Sequence, residues 1–208
     1  MFLHGLLTAA LATTPMHATV VPERLPPIPA EQMTDVQRQV ADELTNGPRG
    51  GVKGPFVPLL RSPELLSPLQ RAGEYLRFRS SVPPKLNELA ILVTSRSWAQ
   101  DFEWETHAPL AAKAGVQPAV IDAIRDGRRP ERLARDEAAV YAFVTELLAT
   151  RSVSDETYDA ALAVLGERGI VDLTAVTGYY ALVSMVLNVA RTPPPSASGG
   201  TRGPPAPR

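Results

Sequence analysis

The chain contains no cysteine. That excludes disulfides, thiolate metal sites and any mechanism that starts from a thiolate nucleophile. Histidine is scarce as well. There are three, and His4 and His17 lie near the N-terminus, so a histidine-rich metal centre is not expected. No sign of charge dominates. Lysine and arginine total 21 against 22 acidic residues, a formal net charge of -1. A nucleic-acid partner would favour a clustered basic face, and nothing here calls for one. Strand-type alternation of apolar and polar residues is also missing, which leaves an all-α fold as the expectation.

What is present fits one domain. A chain of 208 residues is long enough to bury a sizeable core. Residues 1–24 read as an N-terminal extension. Residues 5–12 are apolar and Ala10-Leu11-Ala12 offers a small-x-small pattern, but the basic n-region of a signal peptide is missing. A cytoplasmic protein is the leading expectation and export the alternative. The apolar run is too short to span a membrane. Residues 20–30 are rich in proline and read as an extended arm, laid across a neighbouring subunit or left as a loose leader. Residues 25–192 form the helical domain. Residues 193–208 read as a disordered tail by composition.

Helix signals recur along the domain. Thr34 and Gln37 make a capping box for a helix over 34–45, with Val36, Val40 and Leu44 as its stripe. The loop 47–58 is rich in Gly and Pro but lacks the spacing of a phosphate-binding loop. Ser62-Pro63 and Ser67-Pro68 are both N-cap plus N1 pairs, and the second is expected to start a helix running to Phe78 with Leu69, Ala72 and Leu76 inward. Pro83-Pro84 opens a helix that ends near Trp98, and a further helix runs to Gly115. Helices are then expected over 118–126, 135–150, 154–167 and 170–191. The last is apolar nearly all round, so a place in the core or at a subunit interface is expected. Its polar residues Asp172, Thr174, Thr177, Ser184 and Asn188 argue against a membrane span.

The chemistry concentrates in residues 83–115. His107 is the one histidine of the helical domain, and Glu103 stands four residues before it. That spacing puts both on one helix face, with Cβ atoms roughly 5–6 Å apart. An imidazole and a carboxylate that close share a proton, which suits acid–base chemistry. A structural, hydrogen-bonded histidine is the competing reading. Arg77, Arg79 and Arg96 are candidates for holding a substrate carboxylate, because a guanidinium matches it bidentately; surface ion pairing is their alternative. Glu105 faces elsewhere on the helix and reads as a solvated carboxylate. Tyr179 and Tyr180 read as packing, with a hydroxyl added to the pocket as the alternative; Trp98, Phe102 and Trp104 read as packing.

The runs NELAILVTSR and FEWETHAPLAAKAG, with GPFVPLLRSPEL upstream and VDLTAVTGYYALVSMVLNVAR downstream, resemble the carboxymuconolactone decarboxylase family. That family includes the alkylhydroperoxidase-D-like proteins. The resemblance implies a compact multi-helix domain that assembles as trimers or hexamers. It also brings Glu88 into the site. Redox members carry a glutamate, a Cys-x-x-Cys, and a histidine four residues after the second cysteine. Glu88 and His107 fall where that glutamate and histidine fall, and Gln100 and Glu103 where the cysteines would be. Thiol peroxidase activity is therefore not expected. The resemblance implies proton-transfer chemistry on a small carboxylated or lactone-type molecule, without metal or organic cofactor. His107 would move the proton, and Glu103 or Glu88 would tune it. A non-catalytic binding or scaffold oligomer is the second reading. A cavity at His107 with an arginine in reach would favour the enzyme.

Overall fold

The computed structural model describes residues 22–198, and among these it contains helices and no strand. The export-signal reading of residues 1–18 and the tail residues 199–208 lie outside the described residues. The helices are α1 Asp35–Asn46, α2 Phe56–Leu59, α3 Pro63–Phe78, α4 Pro84–Ser97, α5 Asp101–Lys113, α6 Pro118–Arg125, α7 Arg135–Thr150 and α8 Asp155–Ala190.

Helix α4 is the centre of the packing. It lies against α5, α6, α7 and α8. Leu86, Leu89, Ala90, Ile91 and Leu92 are all buried; a helix apolar on every side must be surrounded by protein. Its buried hydroxyls are satisfied locally. Thr94 donates to the Ala90 carbonyl at 2.8 Å and Ser95 to that of Ile91 at 2.7 Å, so neither needs a partner from another helix. A smaller cluster of Val40, Leu44, Phe56, Leu59, Leu60 and Leu66 gathers α1, α2 and the start of α3.

The last helix is less enclosed than its composition suggests. Leu173, Val176, Tyr180, Val183 and Leu187 of α8 are buried, while Val171, Met185 and Val189 are exposed. The run breaks at Gly166, which has φ 66° and ψ 173°. That conformation interrupts the helical hydrogen-bond ladder, and glycine adopts it without a Cβ penalty. The expected division between residues 154–167 and 170–191 falls there. By length and composition the helix could cross a membrane, but its inner face forms part of the core.

Asp172 of α8 is buried and fully engaged. It accepts from the Ser81 amide and hydroxyl, each at 2.7 Å, and from the Tyr75 hydroxyl at 3.0 Å. Burial pushes its pKa up, but the hydrogen bonds outweigh that and hold it below the usual carboxylate value. The Asp172 contacts fasten the loop between α3 and α4 to α8.

Three local expectations need correction. Helix α3 starts at Ser62-Pro63, and Pro68 lies inside it. Pro68 lies past the amides that lack intrahelical partners and cannot donate to the Glu64 carbonyl, yet the helix continues through it, so Ser67-Pro68 is no boundary. The inward face of α3 carries Leu66, Gln70, Gly73 and Leu76, while Ala72 is exposed. Val36 of α1 is also largely exposed, although the Thr34–Gln37 capping box forms as expected.

Both ends of the domain are tied to it. The Arg24 amide donates to the Ala190 carbonyl at 2.7 Å, and Arg61 donates to the Pro26 carbonyl at 2.7 Å. The arm is thus held by its own chain and is not a loose leader. At the other end, Pro195–Ser198 forms a 3-10 turn, where the composition suggested disorder from residue 193. The Ser196 amide donates to Glu105 at 2.9 Å, and its hydroxyl donates to the same carboxylate. Glu105 is therefore an anchor for the tail and not a solvated carboxylate.

Candidate active site

The site depends on the corner between α4 and α5. Ala99 turns the chain with a left-handed φ of 47°. Gln100 then caps α5: its side-chain oxygen accepts from the Phe102 amide at 2.7 Å. Its amide nitrogen donates to Asn188 Oδ1 at 2.8 Å, and Asn188 donates back to the Trp98 carbonyl at 3.0 Å. The corner is thereby tied to α8, and α5 returns along α4. Residues 19 apart in sequence then meet.

His107 stands between two carboxylates. Its Nδ1 is 2.7 Å from Glu88 Oε2, and its Nε2 is 3.5 Å from Glu103 Oε2. The first is a hydrogen bond; the second is longer than one. The ring is 1% exposed and meets the Tyr180 ring edge-on, with centroids 5.0 Å apart. Glu103 is also buried. Burial pushes its pKa up, and the opposing pull of His107, Arg77 and Arg49 does not cancel that. Burial likewise pushes the Tyr179 and Tyr180 hydroxyls up, so both stay neutral.

A cavity of about 240 Å³ opens beside the imidazole. His107, Glu103, Thr106 and Phe102 contribute from α5, and Tyr179, Tyr180 and Val183 from α8. Arg77 comes from α3. The loop after α1 supplies Arg49, Gly51, Lys53 and Pro55, followed by Phe56. Gly54 lets that loop approach closely. Its φ is 55°, and a Cβ there would stand 2.4 Å from the Phe102 ring. Glu88 is not part of the cavity lining; it braces the imidazole from the α4 side. Among the described residues, no group of three His, Asp or Glu side chains is placed to hold a metal ion.

The sequence-derived candidates separate into two groups. Glu88, Glu103, His107 and Arg77 come together. Arg79 and Arg96 do not join them. Arg79 is exposed and lies 3.6 Å from Glu74. Arg96 donates to the Arg125 carbonyl at 2.9 Å, where a cation suits the C-terminal end of α6. Tyr179 and Tyr180, for which a place in the pocket was the alternative to packing, line the cavity, and so does Phe102, expected to pack. The family resemblance implies a place near the pocket mouth for the loop 47–58, but neither Arg49 nor Lys53 was singled out within it. The signal was present as two cations in a glycine-rich loop, but their spacing carries no information about which distant helix they face.

Residues 63–156 match the model of the Carboxymuconolactone decarboxylase family. This segment runs from α3 to the first turn of α8 and holds Glu88, Glu103 and His107. No curated protein matches the chain. Among solved structures, the alkylhydroperoxidase AhpD core, an uncharacterized peroxidase-related protein from Ralstonia eutropha JMP134, superposes with a TM-score of 0.66 at 18% identity. The match covers 86% of this chain and 95% of that one. A protein of unknown function from Agrobacterium tumefaciens, likened in its description to the antioxidant defence protein AhpD, gives a TM-score of 0.55 at 16% identity. There the coverage is 66% and 94%. At such identities the likeness is one of fold. The segment 63–156 is thus similar to the carboxymuconolactone decarboxylase family, and the chain has no cysteine with which to form a redox Cys-x-x-Cys.

Proposed function

We propose that the protein is an enzyme of cofactor-independent proton-transfer chemistry. The reaction is a decarboxylation, or a related lyase or isomerase step, on a small carboxylated or lactone-type organic molecule. The observation that carries this reading is the position of His107. One carboxylate braces it from behind, another stands beside its Nε2, and the cavity at that edge holds two arginines.

The roles follow from the geometry. Glu88, as a carboxylate, accepts from Nδ1–H and fixes both the ring and its tautomer. That leaves Nε2 for the substrate and for Glu103. In a decarboxylation, the bond to the departing carboxylate breaks, CO₂ leaves, and the electron pair moves into a conjugated carbonyl of the substrate. The imidazolium then gives a proton to the carbon where that charge is concentrated. A proton from Glu103, or from solvent through it, restores the ring. The 3.5 Å separation of Nε2 and Glu103 suits groups that tighten around a bound molecule. The substrate supplies the electron sink, so no cofactor enters the step. A scaffold protein would be expected to close its core around the histidine; the cavity favours the enzyme.

The test is turnover in D₂O of a panel of carboxylated unsaturated lactones and β-keto acids, followed by NMR. Wild type is expected to release CO₂ or incorporate deuterium with at least one of them. His107→Gln is expected to lose about 10²–10⁴ in rate, the usual span for a general acid or base, while remaining folded. Full activity of the variant on a substrate that wild type turns over would overturn the assignment.

A further inference from the structure

We propose that Arg49 is the anion anchor of the cavity, selecting a small organic molecule with one carboxylate on a flat apolar body. The proposal deepens the reading of the same site, and rests on that reading only for turnover of the ligand, not for its binding.

Arg49 has an unmet hydrogen-bonding need. Arg49 Nε and Nη2 are shielded from solvent and have no partner, and no carboxylate pairs with this guanidinium among the ion pairs of the described residues. Buried N–H groups of a cation are costly to leave without an acceptor. The guanidinium is nevertheless well held. Its Cζ lies 5.1 Å from the centre of the Phe56 ring and 5.6 Å from that of Phe78. These ring contacts hold the cation without satisfying its N–H donors. The Nε and Nη2 donors lie side by side, the arrangement that receives a carboxylate through both oxygens once the side chain turns them toward the cavity.

The charge balance points the same way. Arg49, Arg77 and Lys53 all line the cavity. Arg77 stacks on the other partner of Arg49, with its Cζ 5.2 Å from the Phe78 ring centre. Against these cations stands the buried Glu103, since Glu88 is taken up by His107. Phe102, Phe56 and Val183 give the wall its apolar area, beside Thr106, Tyr179 and Tyr180. A volume of about 240 Å³ is below the usual range for drug-sized ligands, which suits a single ring. An anion held at Arg49 and lying against Phe102 would have its body beside the imidazole.

The test is calorimetric titration with benzoate and with benzamide, its neutral counterpart. Wild type is expected to bind benzoate and to bind benzamide far more weakly. Arg49→Gln is expected to weaken benzoate binding roughly thirtyfold or more, as when a buried hydrogen-bonded charge pair loses one member. Arg49→Lys, which keeps the charge without the fork, is expected to fall between. It also serves as the test if the glutamine variant does not fold. Benzoate binding is read without turnover, so loss of anchoring is measured separately from loss of activity. The proposal is overturned if wild type fails to bind benzoate at millimolar concentration. It is equally overturned if benzamide binds as well as benzoate, or if a folded Arg49 variant binds benzoate like wild type.

Discussion

The Tyr179 hydroxyl occupies the space that a side chain on Gly73 would need: a Cβ there would stand 2.2 Å from the oxygen. Helix α3 meets α8 closely at this point, and Tyr179 also lines the cavity. Gly73→Ala is expected to destabilise the protein. Overpacking a well-filled site costs about 1–3 kcal/mol, against about 1 kcal/mol gained from replacing glycine inside a helix. Urea unfolding at neutral pH measures the balance, and a variant more stable than wild type would contradict the close contact.

Glu103 gives a pH prediction. Burial, against the pull of His107, Arg77 and Arg49, leaves its folded-state pKa above the ordinary glutamate value. The stability linked to its proton is complete below the unfolded value and is lost as pH rises through the folded value. Glutamine does not titrate. The melting temperature of Glu103→Gln, relative to wild type, is therefore expected to rise between about pH 4 and about pH 8. A difference that falls over this range would show that the cations outweigh burial.

Asp172 has the opposite sign. Its folded-state pKa is lowered, so its contribution is present above the unfolded value and is lost as pH falls through the folded one. Asp172→Asn is expected to cost about 1–3 kcal/mol at neutral pH, because the charge is lost and one acceptor oxygen becomes an amide donor among the Ser81 and Tyr75 donors. The deficit should narrow in acid. Urea unfolding at two pH values checks both parts, and a deficit that widens on acidification would refute the assignment.

We also propose that the chain forms a homo-oligomer through α8. Val171, Ala175, Gly178, Leu182, Met185 and Val189 recur at alternating intervals of four and three residues, the spacing of a helix–helix seam. Val171 is 67% exposed and Val189 61%. A Cβ at Gly178 would meet no heavy atom within 4 Å, which leaves room for another backbone. Wild type is expected to scatter light as an oligomer, a trimer or hexamer by family resemblance, and Met185→Arg as a smaller species. A wild-type monomer at micromolar concentration would defeat this.

The parts of the site legible in the sequence were those set by local spacing. Glu103 and His107 share a helix face because of a four-residue interval, and Thr34 caps α1 through a three-residue one. Glu88 came from the resemblance, since no spacing rule joins residues on two helices. Arg49 was not legible, because its place depends on how a loop folds over α5. Arg96 was misplaced for a related reason: the carbonyl of Arg125 competes for it, and only the packing of α6 against α4 reveals that acceptor. The phase of α3 was misread because Pro68 looked like a start, although Ser62-Pro63 offered the same signal one turn earlier.

Gln100 makes the corner resistant to conversion. By resemblance it occupies the position of the first redox cysteine, yet here it caps α5 and holds Asn188. A cysteine at 100 would forfeit both bonds, and one at 103 would remove the carboxyl beside His107. Grafting a dithiol onto this scaffold would therefore require Gln100, Glu103 and Asn188 to change together.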